Sequence, residues 1–195
     1  MPGIVGRGWT ATQAGTGTIT FNTGVPSSSG ISTNATGASN YVMWVGGSVA
    51  AYANELNQAP LLFEARMQIA TAVDANGVII MRLVDSAATS YIEFGMRGSV
   101  STANLMGRNA AGGGATSFTT GQAVDTAAYH TYGILVPASG GPVVFLYDDV
   151  VVGQIAAAIP AATTDMRAEF RVENGATAAA RTMNIDWARV VRGTA

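Results

Sequence analysis

His130 is the one histidine in 195 residues, and cysteine is absent. A histidine works as a general base only beside a nucleophile and an orienting acid. No such motif accompanies His130, which reads as structural. One histidine and no thiol leave no ligand set for a multi-histidine or thiolate metal centre within the chain, and no disulfide framework. Asp148 and Asp149 in "YDDV" are candidates to attract a cation, but turn chemistry accounts for them. "NAAGGGATS" (Asn109 to Ser117) is glycine-rich, yet it lacks the lysine and following helix of a phosphate loop. It reads as a mobile or partner-ordered loop. Trp9, Trp44 and Trp187 offer ring faces to a sugar. Trp187 alternates with Met183 and Ile185 and reads as core, whereas Trp9 and Trp44 suit the core or a subunit contact.

The composition is unusual in two ways. Charged residues make up 11% of the chain, against about 25% in ordinary soluble proteins. All ten basic residues are arginine. Free soluble proteins carry mixed charge to stay dispersed; a surface of small polar residues suits a protein covered by neighbours. The net charge of -2 points to neither nucleic acid nor an anionic membrane. No apolar run approaches the ~20 residues of a spanning helix. The start "MPGIVGRGWTATQAGTGTITF" lacks the charged and apolar parts of a signal peptide, so synthesis in a cytoplasm without a secretory address is expected.

The elements that must position these residues are strands. "FEARMQI" sends Phe63, Ala65, Met67 and Ile69 to one face and Glu64, Arg66 and Gln68 to the other. "MRAEFRVE" sends Met166, Ala168, Phe170 and Val172 inward and sets Arg167, Glu169, Arg171 and Glu173 as a solvated charge row. "VIIMRLV" and "VVFLY" are apolar on both faces. Turn signals stand between them: "DANG", "DSAATS", "PASGGP", "YDDV" and "ENGATAA". The stretch Tyr129 to Ile155 is therefore expected to form a three-strand antiparallel meander, with left-handed backbone at Asp148-Asp149. The pattern predicts an all-β chain of two packed antiparallel sheets. A single helix is conceivable near "SVAAYANELN", capped by Ser48. Residues 1-40, rich in Gly, Ser and Thr, are expected to be an arm or edge strands; residues 41-195 form the sandwich domain.

The order "LFEARMQI", "SYIEFGM", "YHTYGILV…GGPVVFLYDDVVVG", "MRAEFRVENG", "RTMNIDWARVV" resembles the concanavalin A-like lectin/glucanase superfamily over Leu61 to Arg192. The resemblance implies a jelly-roll sandwich. In the glucanase branch one strand carries acids in the pattern E-x-D-x-E, which sets a nucleophile and an acid on one face. The matching strand here, "YIEFGMR", holds one acid, Glu93, with Tyr91 and Gly95 at the partner positions. The chain is accordingly expected not to be an enzyme. The resemblance also implies carbohydrate-binding roles for Glu93, Tyr91 and Arg97. It marks Asp186, with Asn184 beside it, as the position of a structural Ca2+ in some members. Calcium takes roughly six to eight oxygens, so no cofactor is expected beyond that one candidate.

Three function classes follow. The favoured one is a structural virion protein of a tailed bacteriophage, a capsid decoration or cement protein. Its partners would be the major capsid protein or other virion proteins, and it would form a homo-oligomer, with a trimer favoured. The second is a non-catalytic lectin-like module on a virion, binding a surface glycan. The third is a glycan hydrolase or lyase. In the first reading the N-terminal region supplies the interface, through Trp9, Ile4, Val5 and Phe21, with Trp9 the strongest anchor.

Overall fold

The structure, a computed structural model, describes residues 60–192 apart from 139–140, 162–163, 176 and 178, and the backbone of five earlier strand segments. Those segments are β1 (Trp9–Ala14), β2 (Thr18–Phe21), β3 (Ser29–Ser32), β4 (Tyr41–Gly46) and β5 (Asn54–Glu55). Then follow β6 (Leu61–Ile69), β7 (Val78–Val84), β8 (Tyr91–Arg97), β9 (Asn104–Ala111), β10 (Gly114–Ala123), β11 (His130–Val136), β12 (Val143–Tyr147), β13 (Val150–Ile155), β14 (Asp165–Glu173) and β15 (Thr182–Arg192). No helix occurs among the described residues. The helix considered around Ser48 falls mostly outside them; Asn54–Glu55 within it is a short strand paired with β14.

Two antiparallel sheets pack as a jelly-roll sandwich; the alternating patterns imply the two packed sheets. One sheet has eight strands in the order β1-β4-β14-β7-β8-β9-β10, with β5 also on β14. The other has seven, in the order β13-β12-β11-β6-β15-β3-β2. Strands β1, β2 and β3 thus bring residues of the N-terminal region into both sheets. Of the expected interface anchors, Trp9 and Phe21 lie at strand positions in β1 and β2, and Ile4 and Val5 lie outside the described residues.

The layer between the sheets is apolar, and aromatics from both sheets meet in it. Phe63 and Phe170 have ring centroids 5.6 Å apart; Phe94 meets Tyr132 at 5.5 Å and Phe145 at 5.5 Å. Offset and edge contacts at this spacing suit the ring quadrupoles. All four inward residues expected on β6, and all four on β14, are in this core.

The meander β11-β12-β13 forms as expected, with Asp148 at φ 48 and Asp149 at φ 64 in the two-residue turn. Two expectations need correction. "NAAGGGATS" is not a loose loop. Ala111 pairs with Gly114 across a tight turn, and Asn109 and Ser117 lie in paired strands. Gly112 (φ 57) and Gly113 (φ 94) supply the positive dihedrals such a turn requires. Trp187 is not in the core. A register shift in β15 between Ile185 and Trp187 turns it to the outer face, where Arg189 lies over its ring at 5.5 Å. A bulge re-aims every residue beyond it, so alternation counted across it fails.

Candidate functional site

Charge on the outer face of the eight-stranded sheet is arranged as a ladder. Glu169 on β14 stands opposite Arg82 on β7. Arg82 stands opposite Glu93 on β8, and Glu93 opposite Arg108 on β9. Four adjacent strands therefore present acid, base, acid, base in one row. Adjacent strands lie about 4.8 Å apart, which lets each side chain reach its neighbour.

The contacts are close. Arg82 Nε and Nη2 each lie 2.6 Å from Glu169 Oε1, and Arg82 Nη1 lies 3.5 Å from Glu93 Oε1. Arg97, four residues along β8, grips both Glu93 oxygens: Nε donates to Oε2 at 3.1 Å and Nη2 to Oε1 at 2.8 Å. Arg108 Nη1 is 3.8 Å from Glu93 Oε2, and Arg167 Nη2 is 3.9 Å from Glu169 Oε2. The Glu93 and Glu169 side chains are fully buried and Arg82 nearly so. Charges so placed must be paired, because lone buried ions cost several kcal/mol.

Tyr91 completes the face. Its half-buried ring lies under the Arg108 guanidinium, 5.2 Å from centroid to carbon. Burial first, and then the Glu93 charge, push its phenol above the ordinary value. Glu93, Tyr91 and Arg97, the three carbohydrate-binding candidates, are therefore brought together. Arg82, Arg108 and Glu169 join them. The expectation for "MRAEFRVE" is corrected here: its charge row is not a solvated one, since Glu169 is fully buried and Arg167, Arg171 and Glu173 are half-buried. The signal for this was one residue, Arg82, inside the otherwise apolar "VIIMRLV". A buried arginine requires carboxylates from adjacent strands.

Gly95 explains why β8 carries one acid. Its φ is +142°, and a Cβ there would stand 2.5 Å from the Ile79 carbonyl oxygen. A carboxylate at this position would have no room, so the second acid on this face comes from β14 instead.

His130 belongs to a different cluster, at the seven-stranded sheet. Its ring stacks on Tyr147 at 4.7 Å. Nδ1 lies 2.7 Å from Asp148 Oδ2, and Nε2 lies 3.4 Å from Asp125 Oδ2. Asp148 Oδ1 also accepts from the Thr131 amide at 2.9 Å, so this aspartate both makes the turn and holds the histidine. Asp125 is held below the ordinary carboxylate value by the Ala127 amide and then by His130. Asp186, the calcium candidate, stands at the β15 register shift and is ion-paired to Arg66; Asn184 donates to Gln68 Oε1 at 2.9 Å. Among the described residues no three metal-ligating side chains converge.

No family model matches the sequence, and no curated protein sequence matches it. The fold is shared with solved structures. A Bacteroides ovatus mixed linkage glucan GH16 protein, in complex with a G4G4G3G product, superimposes with a TM-score of 0.65 at 11% identity, over 94% of each chain. Crh5 transglycosylase superimposes at 0.62 and 15% identity, over 97% of this chain and 80% of that one. Carbohydrate-binding module CBM66 from Bacillus subtilis does so at 0.58 and 10% identity, over 94% of each. The fold class is thus that of glycan-active hydrolases, transglycosylases and binding modules. Two of these three are catalysts, which overturns the expectation that the chain is not an enzyme. Strand β8 does carry one acid, as expected, but Glu169 from β14 adds a second carboxylate to the same face. The comparisons contain nothing for a virion role.

Proposed function

We propose that the chain recognises a glycan on the outer face of the eight-stranded sheet, around Tyr91, Glu93, Arg97 and Arg108. The observation that carries this is Tyr91, a half-buried ring beside a fixed set of guanidinium donors. A ring supplies the apolar surface for a pyranose, and a few placed polar groups fix its orientation. The fold neighbours support the same reading. Titration of the chain with oligosaccharides checks it. Tyr91→Ala should weaken binding about tenfold, the loss of an aromatic anchor. Unchanged affinity in that variant would remove the site from this face.

A second reading is glycan cleavage at the same place. It is favoured by Glu93 and Glu169, two carboxylates on one face that both reach Arg82. They stand two strands apart, about 10 Å between backbones, and paired acids flank a glycosidic bond at about 5–9.5 Å. Arg82 must swing aside for a sugar to enter between them. Released reducing ends that vanish in both Glu93→Gln and Glu169→Gln support this reading. Turnover that persists in either variant sinks it. A virion setting, a trimer and capsid partners rest on the low charge and the composition, and co-purification with particles tests them.

A further inference from the structure

The arginines of the outer face outnumber the acids that engage them. Five lie there among the described residues: Arg82, Arg97, Arg108, Arg167 and Arg171. Among the described side chains three glutamates face them: Glu93, Glu169 and Glu173. Arg97 takes both Glu93 oxygens, Arg82 takes Glu169 at 2.6 Å, and Arg171 takes Glu173 at 2.8 Å. Toward these acids, among the described residues, Arg108 and Arg167 keep only the long contacts of 3.8 and 3.9 Å, beyond hydrogen-bond reach. Arg167 Nε is buried with no hydrogen-bond partner. Their side chains are 25% and 26% exposed, so both reach solvent. Two rim acids are nearby. Asp85 is occupied by its own turn, accepting from Thr89 and Ser90. Asp165, exposed at the start of β14, forms no ion pair with Arg167 among the described residues.

The two arginines lie on opposite sides of Tyr91 across the sheet, Arg108 on the ring and Arg167 two strands away. Arg167, Val84 and Tyr91 occupy one row across β14, β7 and β8, and Arg108 covers Tyr91 from β9. A guanidinium is a planar fork that matches a carboxylate or sulfate with two hydrogen bonds. We infer that the ligand is an anionic glycan, an oligosaccharide whose carboxylate or sulfate groups meet Arg108 at the Tyr91 ring and Arg167 two strands beyond it. This rests on the glycan-binding reading and adds the charge of the ligand to it.

Calorimetry on the full chain tests it with four probes: an unsulfated oligouronate, a sulfated but uronate-free galactan oligomer, a neutral β-glucan oligomer of equal length, and inorganic sulfate. One of the two anionic oligomers should bind about tenfold more tightly than the neutral one, the scale of a charge-assisted pair; which one identifies the group. Arg108→Gln and Arg167→Gln should each lower that affinity about tenfold, with Arg108→Lys between, since lysine keeps the charge and loses the fork. Arg189→Gln, on the other sheet, should leave it unchanged. Melting curves confirm that each variant is folded. Equal binding of the neutral oligomer, insensitive to both arginines, overturns the inference and leaves glycan binding standing. No binding of any oligomer overturns both. Inorganic sulfate as tight as the oligomers overturns the sugar part.

Discussion

Strands β6 and β14 have nearly the same sequence pattern, "FEARMQI" and "MRAEFRV", and both bury every inward residue. One outward residue from each, Arg66 and Glu169, lives in different surroundings. On β6, Arg66 keeps 45% of its side chain exposed and pairs with Asp186 at the surface. On β14, Glu169 is fully buried and pairs with Arg82, itself 5% exposed. The contrast teaches that alternation assigns a residue to a face but does not set its exposure. Exposure depends on what stands beside it across the sheet. Beside Glu169 are Arg82 and then Glu93, so three charges bury one another. Beside Arg66 stand Thr131 and Trp187, neither of them charged.

The largest effect expected is at the centre of the ladder. Arg82→Ala leaves Glu93 and Glu169 buried without their shared partner and should cost about 3–5 kcal/mol in denaturant unfolding. A cost as small as that of a surface pair would break the comparison between the two faces.

A smaller effect of opposite sign sharpens it. The Tyr132 hydroxyl is buried in the core with no hydrogen-bond partner. Tyr132→Phe should therefore hold stability or raise it by about 1 kcal/mol, because an unsatisfied group is removed. The same variant carries a pH signature. Burial, and then the neighbouring Tyr147, push the Tyr132 phenol far above its ordinary value. The folded state holds that proton more tightly than the unfolded one. The group's contribution is fully present below the unfolded value of about 10 and is lost as pH rises through and above it. Wild type should lose stability over that alkaline range more steeply than Tyr132→Phe. Parallel curves would show that the hydroxyl is not buried as described.

The smallest effect is on the other face. Arg66→Ala breaks one exposed ion pair and should change stability by no more than about 1 kcal/mol. A loss matching that of Arg82→Ala would show the pair with Asp186 to be buried in solution.

Much of the fold was legible in the chain. Period-two runs assign β6 and β14, and short runs apolar on both faces assign β7 and β12, to a sandwich bounded by Gly, Asn, Asp and Pro turns, with Phe63, Phe170 and their row-mates in its core. Asp148-Asp149 marks the β12–β13 turn because aspartate tolerates left-handed backbone. The polar strand β10 left no such trace: "GATSFTTGQA" has little apolar alternation, and pairing with β9 decides it. Trp187 was misassigned because a one-residue register shift in β15 leaves no compositional mark.

The site was half legible. Glu93, Tyr91 and Arg97 share one strand and their grouping follows from alternation. Arg82, Arg108 and Glu169 lie on three other strands, far away in the chain. What the sequence by itself determined is which side chains point the same way within each strand, since the pleat alternates by covalent geometry alone. What only the tertiary structure decided is strand order and register. Those place β14, β7, β8 and β9 side by side and turn scattered charges into one buried row, because Coulomb and hydrogen-bond energies act over a few ångströms of space whatever the separation along the chain.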